Sequence, residues 1–362
     1  MASQKLAALQ AELRSLTDRL SPPTADAITV LKSALTSRQS VAVAQAANLI
    51  QKNDLRALQP ELAKTFQRLL KNGEKTDPGC IAKRAIANAL YHQEYSETDL
   101  FLSGIHHVQM EPVWGGTVDT APGLRGVSLG LVRAHYRHVM VELADLLADT
   151  EIEARIGAAR AIAYSENPAG VPLLRLKLHL GDPEPQVLSE CFIALLQLAP
   201  EQSFSLVARF LESSEPAVVE LAALALGEAR LTQAFEPIKA VWRQTREPEL
   251  RQSLLLVISM LRSKDGIEFL IGLVERGNQA DCAGAIAALD IYRSVPDIWQ
   301  QVQQAAQLRG DGLQLAPSPL RPLFYAKSIG KTQSLYPGSC PSVIALSLFR
   351  IWSVTGRVVD SW

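Results

Sequence analysis

The 362-residue chain has few cysteines and almost no net charge. Its cysteines, Cys80, Cys191, Cys282 and Cys340, lie far apart and form no CxxC pair. This spacing argues against a disulfide framework or a zinc ribbon and favours a reducing compartment, so we expect a cytoplasmic protein. The 36 basic and 37 acidic residues leave a net charge of −1, which makes a nucleic-acid partner unlikely to be the main one.

Long apolar runs and common catalytic motifs are also missing. The N-terminal residues form a charged amphipathic pattern without the apolar core of a signal peptide. No run reaches the roughly 18 apolar residues of a membrane span, so we expect no transmembrane segment. The chain contains no GxGxxG, GxxxxGK[ST] or DxDxDG motif. These absences favour a non-enzymatic protein without a cofactor.

What the chain does contain is an internal repeat. Four tetrapeptides begin with an acidic residue and recur at spacings of 33, 31 and 32 residues. They are Glu151-Ile-Glu-Ala154, Glu184-Pro-Gln-Val187, Glu215-Pro-Ala-Val218 and Glu247-Pro-Glu-Leu250. Counted from the last residue of each, apolar or small residues occupy offsets 0, +4, +7 and +8, which share one face of an α-helix. A fifth copy centres on Asp281, and weaker ones on Leu124, Ala82 and Ala42.

Each repeat therefore predicts a helix, a turn with an acidic residue and often proline, and a second helix. Proline suits the first helical turn because the missing N–H has no intrahelical acceptor there. One helix pair cannot bury its apolar face alone, whereas stacked pairs can. We predict an all-α fold, an α-solenoid of about eight helical hairpins, with an N-terminal helix or cap over 1–24, repeats over 25–308 and an irregular tail over 309–362.

The pattern resembles the HEAT-repeat family, an armadillo-like helical class, in the short form known from phycobilisome-lyase-like repeats. The resemblance covers residues 140–292 well and residues 25–135 more loosely. It implies stacked helical hairpins and says little about function, because such solenoids serve many roles.

Basic residues follow the repeat anchors in four units, at Lys83, Arg125, Arg155 and Arg251. One interpretation is a basic stripe on the inner helices that binds an anionic partner. The other is an internal ladder in which each side chain pairs with an acidic turn residue such as Asp149, Glu151 or Glu249. The second is favoured because the alternate units carry apolar residues, which interrupt a stripe.

A loop over 103–123 interrupts the repeat, since the anchors Ala82 and Leu124 stand 42 residues apart. Its prolines and glycines exclude a regular helix. Three interpretations stay open: a metal site using His106, His107 and Glu111, with Asp119 as an additional candidate ligand; a ligand or peptide site with Trp114 as an apolar platform; and a packed loop whose Trp and Val fill a groove.

The tail over 309–362 loses the helical period. Residues 311–362 carry five basic and two acidic residues, and the apolar run 342–354 contains Arg350. That run is too short to span a bilayer. A partner-binding or membrane-surface helix and a poorly ordered extension are both compatible with this composition.

The functional hypothesis is a scaffold that binds a protein partner on the concave inner-helix face, with loop 103–123 contributing specificity. Its candidate binding residues are His106, His107, Glu111, Trp114, Asp119, Arg125 and Arg155. The alternative is a bilin-lyase-like enzyme subunit or a metal-dependent activity centred on the loop. The sequence leaves the partner and the oligomeric state open.

Overall fold

The fold is all-α. The structure is a computed structural model that describes residues 2–16 and 24–309. It is 75% helix, and within those ranges the strands amount to two segments of four residues each. In the described part of the chain, no helix has the length and apolarity needed to cross a membrane. The predicted tail over 309–362, with Arg350 and Cys340, lies outside the described residues beyond Arg309.

The described residues divide into two compact units, with the boundary between Ala199 and Pro200. The first contains α1 (Ala2–Ser15), α2 (Ala25–Leu35), α3 (Ser40–Lys52), α4 (Gln59–Leu70), α5 (Gly73–Thr76), α6 (Ile81–His92), α7 (Thr98–Ile105), β1 (Met110–Val113), β2 (Gly116–Asp119), α8 (Pro122–Arg125), α9 (Leu129–Arg133), α10 (Val139–Leu147), α11 (Ile152–Tyr164), α12 (Gly170–Leu180) and α13 (Pro185–Leu198). The second contains α14 (Pro200–Ala208), α15 (Pro216–Glu228), α16 (Phe235–Gln244), α17 (Pro248–Met260), α18 (Lys264–Arg276), α19 (Gln279–Leu289) and α20 (Pro296–Leu308). The boundary falls inside the segment 25–308, whose extent as one array stays a prediction.

The four acidic tetrapeptides begin helices, as predicted. Helices α11, α13, α15 and α17 each start directly after the glutamate, which has an extended backbone. Proline is the first residue of the last three. The fixed φ of proline favours the helical conformation at this position, where no intrahelical bond is lost.

The predicted helix face forms the core of these helices. In α11, Ala154, Ala158, Ala161 and Ile162 are fully buried, and the equivalent positions of α13, α15 and α17 are buried as well. Within the first unit α11 packs against α13, and within the second α15 packs against α17 and α17 against α19. Cys80, Cys191 and Cys282 are buried. Burial raises the pKa of the Cys191 thiol to about 12, so it is an inert apolar group.

The unit that follows loop 103–123 departs from the regular pattern. The register predicts one helical face from Leu124 to Val132, but the chain forms two short helices, α8 and α9. The backbone at Gly126 approaches α11 so closely that a Cβ at Gly157 would overlap the Gly126 carbonyl oxygen. This approach replaces the usual side-chain contact between neighbouring helices, and only glycine permits it.

Candidate functional site

A β-hairpin occupies the loop that interrupts the repeat. Strands β1 and β2 pair antiparallel, with Val113 opposite Gly116 and Met110 opposite Asp119. Trp114 and Gly115 form the two-residue turn, where Gly115 has a φ of 87° that favours glycine. The prolines and glycines correctly predict the absence of a regular helix over 106–121, but the predicted loop also includes the last residues of α7 and the first two of α8. The strands are not predicted by the sequence pattern.

The hairpin and the residues next to it expose several large apolar side chains. Trp114, at the tip, has a relative exposure of 103%, and Val108 of 60%. Met110, Val113 and Val118 are each about half exposed. Large side chains gathered on one projecting element typically mark an interaction site, whereas single exposed residues do not. Trp114 does not fill a groove, in contrast to the packed-loop interpretation.

A buried lysine lies below the hairpin. Lys83, on α6, is fully buried, and its Nζ donates to Gln109 Oε1 at 2.7 Å. The Asp77 carboxylate is 3.4 Å from the same Nζ and is also fully buried. Asp77 in addition accepts the N–H groups of Ala82 and Lys83 at 2.9 Å, so it caps α6 while it balances the lysine charge. A charge buried in this way requires a fixed geometry of its partners.

Gln109 joins this buried pair to the first strand. Its Nε2 donates to the Asp77 carbonyl at 3.0 Å and to Glu111 Oε1 at 2.6 Å. Glu111 Oε1 also accepts the Gly79 N–H and the Thr120 hydroxyl, both at 2.7 Å. Burial alone would raise the pKa of Glu111, but these bonds outweigh it and the pKa is lowered. Glu111 is thus held as a carboxylate within the hairpin base.

Arg125 supports the second strand. Its guanidinium donates to Asp119 Oδ2 at 2.6 Å, to Asp149 Oδ2 at 2.9 Å and to the His107 carbonyl at 3.1 Å. Burial opposes ionisation of Asp119, yet bonds from Ala121, Gln109 and Arg125 lower its pKa overall. The first strand is therefore attached through the hydrogen bonds of Gln109 and Glu111 beside the Lys83–Asp77 pair. The second strand is attached through the Arg125–Asp119 ion pair.

The other basic anchor residues form contacts between repeats. Arg155 pairs with Asp182 at 2.8 Å, and Lys177 pairs with the same Asp182 oxygen at 2.8 Å. Arg251 donates to Asp281 at 2.8 Å. This geometry matches the internal-ladder interpretation, but of the three carboxylates proposed from the sequence only Asp149 is a partner. Arg125 and Arg155, which the sequence suggests as binding residues, are buried in these contacts.

The metal candidates point to different partners. His106 Nε2 lies 2.7 Å from Glu142 Oε2, and His107 Nε2 lies 3.3 Å from Gln109 Oε1. Glu111 is engaged at the hairpin base, and Asp119 with Arg125. Across residues 2–16 and 24–309, no three His, Cys, Asp or Glu side chains converge as metal ligands. The metal hypothesis stays a prediction without geometric support.

Several residues of this site could not be recognised from the sequence. The sequence pattern marks Lys83 only as a repeat position and gives no signal at Gln109 or Thr120. The available signal is Asp77-Pro78-Gly79, which lies one residue before α6 and is typical of a helix start.

Comparison with known proteins does not assign the chain to a family. No family model matches it, and no curated protein matches it. Among solved structures, a crystal structure of an engineered protein matches with 17% sequence identity over 82% of this chain and 93% of that chain. The TM-score of that match is 0.34, so it supports no inference about function.

Proposed function

We propose that the protein is a scaffold that binds a protein partner and that the β-hairpin is its main contact element. The observation that carries the proposal is the combination of a fully exposed Trp114 with a base fixed by buried ion pairs. A rigid aromatic anchor loses little conformational entropy on binding, and such anchors dominate the binding energy of many interfaces.

The character of the exposed surface supports a protein partner. Residues 112–118 include no charged side chain, and the nearby carboxylates of Glu111 and Asp119 are already bonded within the chain. A polyanion would gain little binding energy from this uncharged surface. A partner with an apolar pocket would gain binding energy by burying the Trp114 side chain.

The finer architecture belongs to the same proposal. We interpret the helix pairs of both units as HEAT-type repeats that form an α-solenoid in a cytoplasmic protein. The contact of α11 with α13, the recurring burial at equal offsets and the Arg155–Asp182 pair between neighbouring repeats support this interpretation. Because Arg125 and Arg155 are engaged internally, the hairpin rather than the arginine positions is the proposed contact surface.

The experiment is quantitative affinity capture from native lysate with three forms of the tagged chain. We expect the wild type to enrich at least one protein that Trp114→Ala loses by more than about tenfold, as for a central aromatic anchor. Leu176→Ala is the matched control because Leu176 is another exposed apolar residue, on α12 in the same unit. Equal capture by all three forms would refute the proposal.

A further inference from the structure

The outer edge of β2 has main-chain groups arranged to pair with another strand. The Thr120 N–H donates to the Gln109 carbonyl at 2.9 Å, which makes residues 109 and 120 a hydrogen-bonded pair. Such pairs alternate along an antiparallel ladder, so 111 with 118 and 113 with 116 are also bonded pairs. The main-chain groups of Thr117 and Asp119, and of Met110 and Pro112 opposite, therefore point away from the hairpin.

The two outer edges are not equivalent. On β1 one of the two outward positions is Pro112, which has no N–H and blocks a regular ladder. On β2 both outward positions have an N–H and a carbonyl. No third strand pairs with this edge in the described residues, where the sheet has two strands. Gly116, Thr117 and Val118 are exposed. The edge of β2 is thus the competent one for strand addition.

The absence of free charge at this edge favours an uncharged partner strand. Glu111 is bonded to Gly79 and Thr120, and Asp119 to Arg125. The exposed residues from Gly116 to Val118 carry no charge. An incoming strand with uncharged β-branched or apolar side chains is complementary to this surface, whereas a charged strand would lose hydration without gaining a partner.

We propose that the partner supplies an extended, uncharged segment that pairs with β2 and places an apolar side chain beside Val118, close to the Trp114 tip. This inference rests on the proposed function and specifies its binding mode, β-strand addition. The proposed occupant is a linear, uncharged segment of another protein.

The test uses a displayed library of short linear peptides, selected on the full wild-type chain. Thr117→Pro removes the outward N–H and leaves the bonded pairs of the hairpin intact, as Pro112 does on the opposite strand. Thr117→Val removes the hydroxyl but keeps the N–H. We expect the selected peptides to be uncharged and apolar, to bind Thr117→Val like wild type, and to bind Thr117→Pro at least about tenfold more weakly.

A second measurement does not depend on the folding of Thr117→Pro. Two versions of a selected peptide are synthesised. One carries N-methyl groups on the odd-numbered residues and the other on the even-numbered residues. An added strand uses one edge, so one register should abolish binding and the other should preserve it. Equal tolerance of both registers would overturn strand addition.

The remaining outcomes separate the two proposals. Peptides that require Trp114 but not the Thr117 N–H would overturn strand addition and leave hairpin-mediated binding in place. Peptides indifferent to both Trp114→Ala and Thr117→Pro would overturn both. A wild-type dimer in light scattering that Thr117→Pro converts to a monomer would identify a second copy as the occupant and overturn the inferred partner.

Discussion

The hairpin base and the Arg155 ladder both contain buried ion pairs, but these ion pairs have different structural roles. Arg155 and Asp182 connect neighbouring repeats, with Lys177 as an additional cation on the same carboxylate. At the hairpin, Lys83 with Asp77 and Arg125 with Asp119 hold an element that exposes Trp114. Buried ion pairs contribute little net stability but fix geometry strongly. The difference indicates that buried charge in the hairpin region positions a surface, whereas in the ladder it joins helices.

The largest expected effect follows loss of the buried lysine. Lys83→Met leaves the Asp77 carboxylate buried without a cation, which should lower the free energy of unfolding by about 3–5 kcal/mol. Urea denaturation followed by circular dichroism measures it. Lys177→Met is the control, because Asp182 keeps Arg155, and its cost should be clearly smaller. An equal loss of unfolding free energy in Lys83→Met and Lys177→Met would contradict the different roles of buried charge in the hairpin region and in the ladder.

A smaller difference is expected between two arginines. Arg125→Met deprives both Asp119 and Asp149 of their cation, whereas after Arg155→Met the Asp182 carboxylate keeps Lys177. We expect Arg155→Met to cost about 1–3 kcal/mol and Arg125→Met more. Only Arg125→Met should accelerate hydrogen exchange in residues 107–121. Faster exchange there in Arg155→Met would contradict a local role for Arg125.

Acid should weaken the hairpin base before it weakens the ladder. Burial lowers the pKa of His107, with Lys83 acting in the same direction and Gln109, Asp119 and Asp77 opposing it. The folded state therefore keeps this imidazole neutral where the unfolded chain binds a proton. The resulting stability is present above the ordinary histidine pKa of about 6.5 and is lost as the pH falls through that value toward the folded-state pKa.

The control for this pH effect is His107→Gln, which cannot titrate. The unfolding free energy of the variant should decline less than that of the wild type between neutral pH and the acid side of the histidine range. Carboxylates such as Asp182, whose pKa is also lowered, respond only at lower pH. Identical pH profiles for wild type and His107→Gln would show that the titration of His107 does not contribute to the pH dependence of stability.

The smallest expected effect on stability is that of Trp114→Ala. Because Trp114 is fully exposed, its loss should change the free energy of unfolding by no more than about 0.5 kcal/mol. Trp242→Ala is a useful contrast, since Trp242 is buried in the second unit and should cost about 3–5 kcal/mol. A substantial loss of stability in Trp114→Ala would indicate a packing role for the tip.

The regular helices could be predicted because their signals are local. Glu184 followed by Pro185 determines a helix start, and Val187 with Cys191 determines the buried face. The pairing of Arg155 with Asp182 could not be predicted, because it depends on how repeats stack across 27 residues.

The hairpin could not be predicted for a different reason. Its strands have only four residues each and contain Pro112 and Gly116, which usually indicate loops. Lys83 is a residue type expected at the surface, and its burial depends on Asp77 and Gln109. The candidate site is therefore a product of tertiary contacts more than of local pattern.

The most direct test of the central claim is site-specific photocrosslinking in native lysate. A photoreactive phenylalanine analogue replaces Trp114 in one form and Leu176 in another, both exposed positions of the first unit. We expect a discrete crosslinked partner at position 114 and none at position 176. Crosslinking at 176 but not at 114, or equally at both, would contradict the assignment of the hairpin as the contact element.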